Sequence, residues 1–138
     1  SLGVNKNILV NKLNIDYIDC TFIDTRVAPA FFNAVPSTLK EIEVTFKGCK
    51  FRLSSNTIIT GTRNAMIYSN SNRAFNPSLE KYTYNLFDCE FDLASDVPSS
   101  WILMRSFNPV NIPITMNYRG LKLMNGRASL KLTNNITV

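Results

Sequence analysis

The sequence predicts an all-β chain that winds as a β-solenoid of roughly four irregular rungs, each built from short strands in a fixed order. Three observations support this prediction. A pattern ending in Cys, a free position and Phe occurs at 17–22, 46–51 and 86–91. Apolar and polar residues alternate before each copy, which is typical of a strand with one buried face. A third apolar run recurs less regularly, at 28–32, 65–68 and 100–104.

The first strand of each unit is predicted from the residues seven, five and three positions before the Cys. These positions are apolar in every copy, and a fourth copy has Leu in place of both Cys and Phe. The apolar residues are Leu13, Ile15 and Tyr17, then Ile42, Val44 and Phe46, then Tyr82, Tyr84 and Leu86, and finally Ile114, Met116 and Tyr118. We expect two inward ladders along the second strands: Cys20, Cys49, Cys89 and Leu121 in one, and Phe22, Phe51, Phe91 and Leu123 in the other.

Packing is the expected role of the three cysteines, with a reactive or bridged thiol as the alternative. A position that accepts Leu121 in place of Cys behaves as an apolar site. The odd number of Cys, the lack of a CxxC motif and the lack of His argue against a zinc site and against His-based catalysis. We therefore expect no metal and no cofactor.

A corner is predicted between the first and second strands, because the alternation shifts by one residue there. The residues at the shift are Asp19, Gly48, Asp88 and Gly120. Gly, and less readily Asp, tolerates the left-handed backbone that such a bend often requires. A two-residue hairpin is the alternative, but it would place Ile18 and Phe87 at positive φ, which is costly for such residues.

Stacking in register predicts two outward columns of alternating charge, although chance alternation is also possible. One column holds Lys12, Glu41 and Lys81, and the other holds Thr21, Lys50, Glu90 and Lys122. Such exposed pairs contribute about 0–1 kcal/mol each, so they help to set the register more than they stabilise the fold. The net charge of +5 favours acidic partners, but the cations are scattered, so we expect no nucleic acid partner. No apolar run is long enough for membrane insertion.

The connections and the tail complete the prediction. Phe-Asn-Pro signals at 32–39, 75–79 and 107–110 predict turns before the strands, and the polar stretch 54–78 is expected to loop outward. The segment 127–138 alternates again and predicts a C-terminal capping strand. We expect 1–138 to be a single domain that belongs to a longer chain.

These units, with a turn residue before Cys and Phe beyond it, resemble the right-handed parallel β-helix of the pectate-lyase-like superfamily over about residues 8 to 123. Within that fold, the short, Asn-rich rungs with irregular insertions look most like segments of bacteriophage tailspike or tail-fibre proteins. The resemblance implies a homotrimer in the virion tail, or otherwise outside the cell, that binds host cell-surface polysaccharide. It is an analogy of fold and transfers no single residue's role.

The expected function is therefore a structural and glycan-binding module of a phage tail appendage, without enzymatic activity of its own. A polysaccharide lyase or glycoside hydrolase of the same fold is one alternative, and a secreted bacterial adhesin or surface repeat is another. Asp24 and Asp92 are the catalytic candidates, because both are expected just past the second strands at a spacing compatible with an inverting glycosidase. Asp19 and Asp88 are expected to form turns instead.

Four residues are candidates for glycan binding. Trp101 is either a core residue or an exposed platform for a sugar ring. Tyr68 lies near Arg63 and Arg73 in the sequence. An aromatic face flanked by Arg suits a sugar that bears carboxylate or phosphate, although a core Tyr and ordinary surface Arg would give the same pattern.

Overall fold

A computed structural model describes residues 11–25, 39–55, 65–70, 80–94, 102–107, 113–125 and 136–137. These residues form strands and no helix. The strands are β1 Lys12–Ile18, β2 Thr21–Ile23, β3 Glu41–Lys47, β4 Lys50–Leu53, β5 Ala65–Asn70, β6 Lys81–Phe87, β7 Glu90–Leu93, β8 Ile102–Phe107, β9 Ile114–Arg119, β10 Lys122–Asn125 and β11 Ile136–Thr137. Within this part of the chain, no helix has the length and apolar character needed to cross a bilayer.

The strands form three sheets in which every pair is parallel. The five-stranded sheet has the order β1-β3-β6-β9-β11, the four-stranded sheet β2-β4-β7-β10, and the two-stranded sheet β5-β8. We call β1–β2, β3–β5, β6–β8 and β9–β10 repeats 1 to 4. The first two strands of each repeat lie in different sheets, so they meet at a corner and the hairpin alternative is wrong. The all-β, parallel prediction is confirmed, and the arrangement is compatible with a β-solenoid.

The register between repeats is the one that the sequence predicts. Lys12 lies beside Glu41 and Glu41 beside Lys81, while the second column runs through Thr21, Lys50, Glu90 and Lys122. The Lys12 Nζ atom lies 3.9 Å from Glu41 and only 2.9 Å from Glu43. The closer ion pair is therefore diagonal, which the column prediction missed.

The core comes mainly from the two middle repeats. Its fully buried side chains include Ile42, Val44, Phe46, Cys49 and Phe51 in repeat 2 and Tyr82, Tyr84, Leu86, Cys89 and Phe91 in repeat 3. In the terminal repeats, Cys20, Phe22 and Leu121 are only partly buried, and Leu123 is 42% exposed. Leu123 is therefore less buried than expected. It lies at the end of the stack, where β10 has β7 on one side and no second neighbour among the described strands.

Aromatic rings continue through neighbouring repeats in the core. The Phe51 ring stacks on Phe22 and on Phe91, with centroid distances of 5.1 and 4.7 Å. Tyr17 stacks on Phe46 in the same way at 4.8 Å. These distances follow the spacing of adjacent strands, because side chains at the same register position are carried about 4.8 Å apart. The Phe ladder therefore depends directly on the register.

Each predicted corner has a left-handed backbone, as the phase shift requires. The φ angles are 54° at Asp19, 64° at Gly48, 53° at Asp88 and 63° at Gly120. The Asp19 N–H donates to Lys47 O at 2.8 Å, and the Gly48 N–H donates to Phe87 O at 2.9 Å. The corners of successive repeats are thus hydrogen-bonded to one another, and the turn roles expected for the two Asp residues are confirmed.

The third apolar runs of repeats 2 and 3 form β5 and β8, which pair in parallel. Because β5 lies inside 54–78, that stretch is not wholly an outward loop. The run at 28–32 and most of the Phe-Asn-Pro signals lie outside the described residues. The tail contributes β11, which pairs with β9 through Ile136 beside Ile114 and so extends the five-stranded sheet, in line with the expected terminal strand.

Candidate functional site

The cysteine thiols lie against backbone carbonyl groups at the corners. Cys49 Sγ is 3.2 Å from the carbonyl oxygen of Tyr17 in the preceding repeat and 3.6 Å from that of Lys47. Cys89 Sγ makes the equivalent contacts with Phe46 and Phe87, both at 3.4 Å. All three cysteines are free. A thiol is a small apolar group that can still donate a weak hydrogen bond, so it suits a buried position beside carbonyl groups.

Burial also controls the reactivity of the Cys49 and Cys89 thiols. It raises the pKa of Cys89 to about 11 and raises the pKa of Cys49 above its usual value. The thiolate is the nucleophilic and metal-binding form, and it is scarce at neutral pH when the pKa is raised. No group of Cys, Asp and Glu in the described ranges could hold a metal ion. Burial and the raised pKa favour packing over catalysis as the role of Cys49 and Cys89.

Alkylation of the folded protein with iodoacetamide at pH 8 is expected to modify Cys20 well before Cys49 and Cys89. Cys20 is only partly buried, whereas the other two side chains are fully buried and resist ionisation. Mass spectrometry of peptides taken at successive times gives the three rates, with the protein in urea as the control. Rates for Cys49 and Cys89 that match those in urea would contradict their inward placement.

A depression of about 460 Å³ lies where β2, β4 and β7 end. Its lining combines apolar side chains with a few polar ones: Ile23, Asp24, Arg52, Leu53, Ser54, Asp92, Leu93 and Ala94. Leu53 and Leu93 are buried beneath it, while Ile23 is 61% exposed. Small-molecule sites commonly have this size and this mixture of an apolar surface with a few polar groups. We call it the corner depression.

Asp24 builds a second corner that the sequence did not predict. Its φ angle is 51°, and its N–H donates to Arg52 O at 2.8 Å. One carboxylate oxygen accepts from the Ser54 N–H at 2.7 Å, and the other accepts from the Ser54 hydroxyl at 2.9 Å. Both oxygens therefore join repeat 1 to repeat 2. A catalytic role would have to displace these hydrogen bonds.

Asp92 lies within β7 and not past its end, which corrects the expected position. It is the register partner of Arg52, and Arg52 is the register partner of Ile23. Asp24 is thus one residue further along its repeat than Asp92. The two carboxylates do line the same depression, but they occupy different positions of the repeat, and a glycosidase role for them stays a prediction.

The glycan-binding candidates are mostly beyond the described residues. Trp101, Arg63 and Arg73 lie outside them, and their roles stay predictions. Tyr68 belongs to β5, where its register partner is Arg105 of β8. Sequence reasoning missed Arg52 and Ser54, because neither belongs to a repeated pattern. Arg52 is distinguished from other surface residues by its register position beside Asp92, and Ser54 by its hydrogen bonds to Asp24.

No protein-family model, no curated protein and no solved structure matches this chain. A function is therefore inferred from the strands and side chains described above.

Proposed function

We propose that the chain winds as a right-handed parallel β-helix and serves as a structural, glycan-binding module of a phage tail appendage, either a tailspike or a tail fibre. The module is homotrimeric, lies in the virion tail, binds host cell-surface polysaccharide and has no catalytic activity of its own. The observation that carries this proposal is the parallel stacking of short strands through four repeats, in register except for a shift between Leu123 and Asn125 in β10.

Such stacking supports a mechanical role. Each repeat is hydrogen-bonded to the next both along its strands and at its corners. The stacked rings of Phe51 and Phe91, which join the two middle repeats, are fully buried. Buried contacts keep their geometry better than exposed ones. A body built in this way is stiff and can present fixed outer faces. An appendage that must hold a binding surface away from a particle needs these properties.

The corner depression supports the binding role. Its exposed Ile23 offers an apolar surface, while Arg52 and Asp92 offer a donor and an acceptor on neighbouring strands. Sugars present apolar ring faces and hydroxyl groups, so a site of this composition complements them. Asp24 and Asp92 both line this depression, and that proximity favours the glycosidase alternative. The hydrogen bonds from Ser54 to both oxygens of Asp24 favour a structural role for that residue.

The purified chain is expected to bind at least one member of a panel of bacterial surface polysaccharides without depolymerising it, and light scattering is expected to give the mass of three chains. Replacing Arg52 with Ala should weaken binding, whereas the control Lys50→Ala, an outward cation on the same strand, should leave it unchanged. Release of reducing ends would overturn the non-enzymatic proposal. Failure to bind any member of the panel, or a monomer at high micromolar concentration, would overturn the appendage proposal.

A further inference from the structure

A second depression, of about 230 Å³, lies on the outer face of the five-stranded sheet. We call it the sheet groove, and its polar lining includes Lys12, Glu43, Lys81, Thr83, Thr115 and Asn117. We propose that the sheet groove binds a neutral, hydroxyl-rich segment of polysaccharide, as a site separate from the corner depression. This inference rests on the proposed function and names the chemical class of its ligand.

A chain of hydrogen bonds fixes one wall of the sheet groove. Lys12 Nζ lies 2.9 Å from one oxygen of Glu43, and Asn85 Nδ2 donates to the other oxygen at 2.8 Å. Asn117 Nδ2 then donates to Asn85 Oδ1 at 2.9 Å. Asn85 is only 6% exposed, although it points away from the core, because its neighbours cover it. Polar groups that are already held in place lose less conformational freedom when a ligand binds.

Two threonines on the same outer face of the sheet, each two residues before an Asn of this hydrogen-bonded chain, supply hydroxyl groups. Thr83 of β6 and Thr115 of β9 are register partners and are both half-buried in the groove. Each hydroxyl can donate one hydrogen bond and accept others, and the two side chains are about 5 Å apart as direct cross-strand neighbours. A pair of adjacent groups that both donate and accept complements a sugar ring, whose hydroxyl groups do the same.

The charges around the groove select for a neutral ligand. Lys12 and Lys81 are balanced there by Glu41 and Glu43. The hydrogen bond from Lys12, and then that from Asn85, lowers the pKa of Glu43, so this carboxylate is ionised at neutral pH. The lining therefore carries no net charge, so the groove itself favours neither an anionic nor a cationic sugar.

A protein partner fits the sheet groove less well than a sugar. Protein interfaces usually place large apolar or aromatic side chains at their centre. The large apolar side chains that are exposed within the described ranges are Ile18, Ile23, Tyr118, Leu123 and Met124. None of these lines the groove, whose surface is mainly hydroxyl, amide and charged groups, with the buried Ile42 as its apolar member. Such a polar surface can form hydrogen bonds with the hydroxyl groups of a sugar.

The test is the double variant Thr83→Val with Thr115→Val, which keeps two β-branched side chains on the strands and removes both hydroxyl groups. Its affinity for the neutral polysaccharides of the panel is expected to fall at least about tenfold, because each lost hydrogen bond weakens binding several-fold. Thr21→Val, which removes an outward hydroxyl from β2, is the matched control and should change nothing. Thermal unfolding of each variant checks that the fold is retained.

The possible outcomes separate this inference from the proposed function. A selective loss of neutral-polysaccharide binding in the double variant, with unchanged binding by Thr21→Val, supports the sheet groove. Unchanged binding by the double variant overturns the groove and leaves the glycan-binding function standing. Binding restricted to anionic polysaccharides, weakened by salt, overturns the assignment of a neutral ligand. Failure of the unaltered chain to bind any polysaccharide overturns both proposals.

Discussion

Replacing Phe51 with Ala is expected to lower the free energy of unfolding by about 3–5 kcal/mol, the range usual for a fully buried Phe. Phe51 has no exposed surface, and its ring is stacked between those of Phe22 and Phe91. It also meets Phe46 edge-on, at a centroid distance of 5.6 Å. Removing the ring leaves a cavity between three repeats, which the hydrogen-bonded strands cannot close without breaking their register. Urea unfolding followed by circular dichroism measures the change.

Phe22→Ala is the matched control for this prediction. Phe22 occupies the same position in repeat 1, but it is only partly buried. Its ring contacts fewer repeats, and water can reach the space that it leaves, so we expect a clearly smaller loss of stability. Equal losses for the two variants would mean that the middle repeats are no better packed than the end ones. That result would contradict the core described above.

The register was predictable from sequence because one local rule repeats. Period-two alternation sets which face of each first strand is buried, as at Ile42, Val44 and Phe46. The phase shift then locates the corner within one residue. Inward positions are two residues apart along each strand, but three residues apart across the corner. Aligning the units on Cys gives the partner of each residue in the next repeat. Each of these inferences depends on pattern alone, and the observed strand pairing agrees with them.

The end effects were not predictable in the same way. Leu123 follows the pattern of Phe51 and Phe91, but its exposed fraction is 42% while theirs is zero. The pattern describes which way a side chain points, whereas burial also needs a neighbour on each side. Leu121 lies in the same end repeat and is only partly buried, so it does not establish that an interior Cys position would accept Leu.

The polar contacts were missed for a different reason. The Asp24–Ser54 corner and the link from Glu43 through Asn85 to Asn117 each join side chains of different repeats. Neither contact recurs with the same residue types among the described repeats, so no internal repetition marks it in the sequence. Such contacts depend on which rotamers neighbouring side chains adopt once the strands are paired. The candidate sites proposed for sugar binding rest on these contacts, which is why the sequence predicted the fold better than the sites.

Replacing Gly48 with Ala is expected to lower the free energy of unfolding by about 2 kcal/mol. A left-handed backbone costs an Ala roughly 1–2 kcal/mol, and Gly48 has a φ angle of 64°. A second, smaller cost adds to this one, because a Cβ at this position would overlap the Oδ1 atom of Asp19 in the preceding repeat and the carboxylate would have to rotate away. The same relation holds between Gly120 and Asp88, so the corner column alternates Asp and Gly. Urea unfolding again provides the measurement.

A double-mutant cycle separates the two costs. Asp19→Gly removes the carboxylate and also accepts the left-handed backbone at that corner, where φ is 54°. In the Asp19→Gly background, Gly48→Ala should retain only the backbone cost, so the two substitutions should couple favourably. Gly120→Ala, in the last repeat, should be milder than Gly48→Ala, because an end corner can shift away from Asp88. If Gly48→Ala costs the same with and without the Asp19 carboxylate, backbone strain alone explains the glycine and the alternation of Asp with Gly does not help to set the register.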